Sequence, residues 1–511
     1  MAREGHGFSR AAKGENSQGF SPWPDLVSLV PAKNAEHLCL NSVSSASYLV
    51  SFFFPAYNLE AMPVSPARAA AFDILLSVER ESSYASDLLH SPAHERLSTP
   101  DHALATELVM GVLRWRSRLD ADIATTSSQR LAKLDLEILI ALRLAVYQFV
   151  WLDRIPQRAA LHESVELVKR ARKRSAAPFV NAILRKLSAV PLSRGTPGQV
   201  EPASAETLAR SFAHPLWLVE RWGHEYGLSA AHQICQYNQA IPTPAIRLRT
   251  PTAEEQLNRE EIVLSPGGLL TSARRVQAGD VTKTQPFRTG QIVIQDEASQ
   301  LVAALVGRGT RILDCCAAPG GKTLAIADHN PEAAILAVEL HPHRARLLQK
   351  LLHQHSSQSF ARIEIITADA QHLPVKQQFD RVLADVPCSG TGTLARNPEI
   401  KWRLTPADLA DLAQRQLAIV RSALAQVAPG GRLLYSTCSL EKEENENVVE
   451  QALAENSSFH LLDCNSELDR LKTAGELTWP DAASLARGPY LRTIPGIHPC
   501  DGFFAAMLEK V

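Results

Sequence analysis

The chain has 511 residues, 53 Lys and Arg against 54 Asp and Glu, and a formal net charge of -1, so it is too long for one ordinary core and too nearly neutral to hold nucleic acid by overall charge. Its 45% hydrophobic and 21% charged residues exclude a disordered or fibrous chain. Its eight cysteines, none in a CxxC pair, exclude a dense disulfide framework and offer no zinc-site spacing, so no metal is expected.

Residues 1–61 are polar, with Ser and Gly and one short apolar burst from Tyr48 to Tyr57 that contains Pro55. That burst is far shorter than the ~20 apolar residues a membrane helix needs. It also lies too far along for a signal peptide. The segment reads as a poorly ordered extension, or as upstream sequence joined to a true start at Met62. A monomeric, cytoplasmic protein without a membrane partner is expected.

From 62 to 190 the apolar residues recur at helical spacing and no strand pattern interrupts. Ser65 and Pro66 suit the N-cap and first position of a helix. Further helices are expected at 101–120, 134–151, 158–173 and 177–188. The segment 134–151 is apolar nearly all round, as the central helix of a bundle is. A basic run, Lys169, Arg170, Arg172, Lys173 and Arg174, exceeds what one helix dipole needs and suits RNA phosphates. The alternative is a solvated helix end.

Residues 190–205 are rich in Pro, Ser and Gly and read as a linker. The span 200–300 is mixed, with a helix around Trp217 and Trp222 and short strands at 245–249 and 291–295. It reads as a small α+β domain.

Residues 301–511 form the third domain, in which strand and helix alternate from 309 onward. Short apolar strands are expected at 311–314, 334–339, 363–366, 381–385 and 432–436. A helix with Thr405 as N-cap and Pro406 next should run to Val427. Repeated strand–helix units predict an α/β fold with a parallel, doubly wound, Rossmann-like sheet. Ligands of such sheets bind outside the carboxyl ends of the strands.

The loop from Asp314 to Thr323 follows the first of these strands, and its small residues and paired glycines let backbone N–H groups approach a ligand. A phosphate loop is the rival reading, but no Gly precedes Gly321 by five residues. Glu339 ends the second strand, Asp369 follows the third and Asp385 ends the fourth. Each acid alone is an ordinary loop residue. Together they suit an adenosine-containing ligand with a positive group near Asp385.

Cys388 and Cys438 follow the fourth and fifth strands, each beside small hydroxylated residues. A lone cysteine is usually structural, but two at neighbouring strand ends favour chemistry.

Cys316-Ala-Ala-Pro-Gly-Gly-Lys322, Asp385-Val-Pro-Cys-Ser-Gly-Thr-Gly392 and Thr437-Cys-Ser439 are similar to motifs of the RNA (cytosine-5)-methyltransferase family. So are Gln295-Asp-Glu-Ala-Ser-Gln-Leu301, Asn397-Pro-Glu-Ile-Lys-Trp402 and Asp501-Gly-Phe-Phe504. The preceding helical domain resembles the NusB-type RNA-binding domain. The combination resembles the Sun/Fmu branch of that family, which acts on 16S ribosomal RNA, and covers about 65–511. Val386 stands where Ala is usual, and Cys315 is an unusual neighbour of the loop.

The resemblance implies S-adenosylmethionine as cofactor, held by Cys316, Ala317, Ala318, Pro319, Gly320, Gly321, Lys322, Glu339, Asp369 and Asp385. It implies Cys438 as nucleophile, Asp385 as the group holding the cytosine, and Cys388 as the residue that helps release the adduct. Lys322 orients loop or base. It implies ribosomal RNA as partner, met before the subunit is fully assembled, with the base out of its stack. Three rivals stand beside it. A DNA-type enzyme would attack with Cys388. A NusB-like RNA-binding or transcription factor would carry a dead catalytic domain. A sister enzyme would modify tRNA.

Overall fold

The computed structural model describes residues 64–511 apart from 82, 92, 95, 191, 193–203 and 355–360. The expectations for 1–61 and for most of the linker lie outside the described residues.

The helical domain is built on Pro66–Glu81, Thr99–Ala124, Leu136–Trp151, Gln157–Arg170 and Ala177–Ser188. Leu136–Trp151 is the central helix, and its apolar side chains join one core with those of the other four. Pro66 opens the first helix as expected, but the Ser65 hydroxyl is given to Glu163 Oε2 at 2.7 Å, tying the first helix to the fourth. The second helix starts earlier than expected, because Ser98 caps it by accepting from Asp101 N–H. The fourth stops at Arg170 rather than 173, where Arg172 takes a left-handed φ of 62° and the chain turns.

The expected α+β unit resolves into two bodies. Helices Ala205–Ser211, Leu216–Tyr226 and Leu228–Gln239 share a core with Leu394, Ile400 and Leu440 of the catalytic unit. A separate antiparallel sheet has the order β2-β3-β1-β4, from β1 (Ala245–Leu248), β2 (Val263–Pro266), β3 (Ala273–Ala278) and β4 (Ile292–Ile294). The middle pair had no clear strand signal in the sequence.

Among the described residues the catalytic unit holds a nine-stranded sheet. Its parallel half is β5 (Arg311–Asp314), β6 (Ala334–Glu339), β7 (Arg362–Thr367), β8 (Phe379–Asp385) and β9 (Val427–Thr437), in the order β9-β8-β5-β6-β7. The strands β10 (Phe459–Leu462), β11 (Ala486–Arg487), β12 (Tyr490–Thr493) and β13 (Phe503–Lys510) extend it antiparallel beyond β9. The sheet is therefore mixed and not purely parallel. β5 lies between β6 and β8, so the chain reverses its winding there, and a crevice opens at that switch point.

The helix Pro406–Leu424 carries the expected Thr405 cap, completed by Asp408 as a capping box. It ends before Val427, because Val427 already pairs with Phe379 in the sheet. No helix among the described residues is long and apolar enough to cross a membrane.

The helical domain docks on the segment Asn397–Trp402. The Trp402 indole N–H donates to Leu113 O at 2.5 Å, and Lys401 Nζ donates to Arg114 O at 2.9 Å. Ala85 N–H reaches back to Glu399 Oε1 at 3.1 Å.

Candidate active site

The chain leaves β5 at Asp314 and spreads across the sheet top. Cys315 N–H donates to Leu383 O on one side, and Ala317 N–H to Val338 O on the other, both at 2.9 Å. Cys315 itself is buried in the core, which is why an unusual residue is tolerated there. Gly320 has φ +114°, and a Cβ on it would stand 2.7 Å from Leu348 Cδ1. The positive φ demands glycine where the loop turns into the helix Gly321–His329, since the leucine tip could shift aside.

The loop Cys316–Lys322, with Asp314, Gln295, Ser299 and Asp385, lines a cavity of about 80 Å³. Asp314 accepts from Thr323 Oγ1 at 2.7 Å. Burial pushes its carboxyl up to about 6, against the pull of that hydrogen bond. Among the described residues, Asp314 Oδ1 and Gln295 Oε1 are buried without a hydrogen-bond partner. Two buried acceptors lining one cavity suit a ligand that brings donors or positive charge. Sequence reasoning passed over both. Their only sequence signal was that Asp314 opens the glycine loop and Gln295 heads the Gln295–Leu301 motif.

Glu339 and Asp369 do not line this cavity. Glu339 is buried, accepts from His341 N–H at 2.9 Å, and lies 4.0 Å from Arg344 Nη1. Arg344 Nη2 in turn donates to Ala318 O at 3.0 Å, which links Glu339 to the loop. Asp369 caps the short turn Ala370–His372 by accepting from Gln371 N–H.

The pairing of Asp385 with Ser436 across β8 and β9 sets the chemical site. Three residues past Asp385 and two past Ser436, the Sγ atoms of Cys388 and Cys438 come within 3.2 Å. The Cys388 thiol is held well above its usual range by its hydrogen bond to Cys438 and by burial. Lys322 Nζ forms an ion pair with Asp385 Oδ2 at 2.8 Å and lies 4.9 Å over the Phe503 ring. Burial opposes its charge, yet the Asp385 carboxylate more than restores it, with Cys438 adding to the effect. Asp385 also accepts from Ser436 Oγ at 2.8 Å.

A residue missed in the sequence joins the two cysteine loops. Glu444 is fully buried. It accepts from Ser389 N–H at 2.8 Å, from the Ser389 hydroxyl, from Ser439 Oγ at 2.5 Å and from Gln416 Nε2 at 2.8 Å. Ser389 follows Cys388, and Ser439 follows Cys438. A second tie runs through backbone: Gly392 N–H donates to Cys438 O, and Gly502 N–H to Gly392 O. A Cβ on Gly392 would stand 2.1 Å from Gly502 O. This close approach accounts for the last glycine of the Asp385–Gly392 motif, and a Cβ on Gly502 of the terminal motif would in turn stand 2.9 Å from Gly392 Cα.

The basic run spans the last turn of the helix Gln157–Arg170 and the turn that leads to the helix Ala177–Ser188. Lys169 pairs with Glu166, Arg170 with Asp73 and Lys173 with Asp135. Its outward field is weaker than five charges in a row suggest.

Glu444→Ala leaves buried hydroxyls and an N–H without an acceptor, and should lower unfolding free energy by roughly 3 kcal/mol. Denaturant titration checks this; a loss below about 1 kcal/mol, the scale of a surface change, would mean the loops hold without it.

Comparison with known proteins gives the family and the fold. Residues 304–509 match the family model "16S rRNA methyltransferase RsmB/F", and residues 65–189 match the NusB family. The chain is 32% identical to the probable ribosomal RNA small subunit methyltransferase B of Bacillus subtilis, over 88% of this chain and 100% of that one. It is 30% identical to ribosomal RNA small subunit methyltransferase B of Salmonella enteritidis, over 86% of this chain and 97% of that one. The crystal structure of PH0851 shares its fold with TM-score 0.71 at 23% identity, over 88% of this chain and 99% of that one. These matches place the chain in the RsmB/F family of small-subunit ribosomal RNA methyltransferases, enzymes that take S-adenosylmethionine as methyl donor.

Proposed function

We propose that the chain methylates carbon 5 of a cytosine in 16S ribosomal RNA through a transient bond between Cys438 and carbon 6. The observation that carries this reading is the 3.2 Å approach of Cys388 and Cys438 at the ends of neighbouring strands, beside the cavity of the glycine loop.

Carbon 5 of cytosine is too electron-poor to attack a methyl sulfonium. A thiolate added at carbon 6 turns the ring into an enamine, which can attack. Cys438 supplies that thiolate. The Cys388 thiol, 3.2 Å away, can donate a hydrogen bond to it. Asp385, braced by Lys322 and Ser436, holds the ring nitrogen or amine of the base. Once carbon 5 carries the methyl group, its proton passes to water, the C–H electron pair re-forms the double bond between carbons 5 and 6, and the bond from sulfur to carbon 6 breaks with its electron pair returning to Cys438. We assign Cys388 to this release, on its place beside the attacking sulfur.

S-adenosylmethionine, when bound, supplies the electrophilic methyl group. The backbone of Cys316, Ala317, Ala318, Pro319, Gly320 and Gly321 would cradle it. Asp314 and Gln295 would receive its amino group, and Glu339 and Asp369 its ribose and base. The helical domain would carry the RNA, with Lys169, Arg170, Arg172, Lys173 and Arg174 exchanging local acids for phosphates. The names of the relatives support ribosomal RNA over tRNA. A base that must leave its stack is easiest to reach before the subunit is assembled. We expect a cytoplasmic monomer.

Asp314 gives a pH signature. Its raised pKa means that burial opposes its ionised form, and that this cost is present above about 6. A bound cation repays it only where the carboxylate is ionised. Affinity for S-adenosylmethionine should therefore fall roughly tenfold between about pH 8 and about pH 5. Asp314→Asn should flatten the slope in calorimetry; a mutant that keeps it would put the titrating group elsewhere.

Bisulfite sequencing of total RNA, with and without the gene, tests the reaction itself. One 16S cytosine should lose its protection when the gene is deleted. Loss of protection in tRNA alone would move the substrate, and no change in any RNA would refute the reading.

A further inference from the structure

The helical domain reaches the catalytic unit at a second place. Tyr84 lies just before the short helix Ala85–Leu89. The Arg403 guanidinium sits 4.3 Å over its ring. The next residue is pinned, because Ala85 N–H donates to the buried Glu399. Trp402 and Lys401 of the same segment hold the carbonyls of Leu113 and Arg114. The ring is thus fixed from both sides of the domain seam, yet 45% of Tyr84 remains exposed.

An exposed aromatic side chain alone signifies little. The surroundings of this one are unusual. The segment that holds it packs on the loop after Cys388: a Cβ on Gly390 would stand 2.9 Å from Ile400 Cδ1, and Asn397 Nδ2 donates to Thr393 Oγ1 at 3.2 Å. A rigid ring backed by a planar cation is what a nucleobase stacks on, and such stacking tolerates any base identity.

We propose that Tyr84, backed by Arg403, is a stacking platform for a base of the RNA strand that approaches the loops carrying Cys388 and Cys438. The proposal deepens the RNA-methyltransferase reading above and rests on it. The helical domain then takes part in the site and is not only a tether. Tyr84 is a positioning residue: it holds the strand so that the neighbouring cytosine reaches Cys438.

The test compares Tyr84→Ala, Tyr84→Leu and Tyr84→Phe with the unaltered full chain. The probe is protein-free small-subunit ribosomal RNA from cells lacking the gene. RNA affinity and methyl transfer are measured side by side, with S-adenosylmethionine affinity as a control for folding. Tyr84→Ala and Tyr84→Leu should each bind RNA about tenfold more weakly and raise KM in proportion. Their cofactor affinity should be unchanged. Tyr84→Phe keeps the ring and should stay within about twofold of the unaltered chain. Unchanged RNA affinity in Tyr84→Ala overturns the proposal. So does full rescue by Leu, which would show that the side chain only fills space, and so does failure of Phe, which would shift the role to the hydroxyl. If the unaltered chain binds this RNA but methylates no cytosine, the cytosine reading fails while the binding series still decides Tyr84.

Discussion

A carboxylate taken out of water must be met by donors on every side, and Glu444 is met by those of the two loops that carry the cysteines. Ser389 and Ser439 share one acceptor and also lie 3.0 Å from each other. Gln416 brings in the helix Pro406–Leu424, and the Tyr435 hydroxyl donates to Glu444 O. Neither loop can shift without unpairing a buried group. The 3.2 Å approach of the two sulfurs depends on this lock and on the register of β8 and β9 beneath it.

The seam between the helical domain and the catalytic unit works by a different rule. Lys401 is 1% exposed, and its ammonium is answered by the Arg114 carbonyl and lies 5.0 Å from the Trp402 ring. Burial first, and Arg114 next, pull its pKa well below the usual range. Burial and Lys401 do the same to His214 nearby. Directed hydrogen bonds to backbone carbonyls hold this seam in one orientation, where a purely apolar seam would allow sliding. An RNA bound across both domains would then meet the cysteines at a fixed distance.

The parallel half of the sheet was legible because each strand is a short apolar run ending at a polar residue. The same feature exposed the glycine loop, Asp385 and both cysteines. The edge was not legible, since β10 to β13 acquire their identity only by pairing with β9 and with one another. Val427 looked like the end of a helix because its partner Phe379 is remote in sequence. Glu444 hid in Glu441-Lys-Glu-Glu-Asn445, a charged stretch that reads as solvated until the fold brings Ser389 to it across 55 residues. The basic run misled in the opposite direction, because Asp73 and Asp135 meet it only after the helices pack. Tyr84 carries no local signal, and its meaning comes from Arg403 across the seam.

The division of labour between the two cysteines is best read from covalent complexes on a denaturing gel. The unaltered chain, Cys388→Ala, Cys438→Ala and the double mutant are each incubated with 16S ribosomal RNA and S-adenosylmethionine. Cys388→Ala should trap a protein–RNA adduct that survives denaturation, because bond formation continues and release fails. Cys438→Ala and the double mutant should give none, while still binding RNA and cofactor. A stable adduct from Cys438→Ala, lost when Cys388 is also replaced, would make Cys388 the attacking thiol and contradict the account.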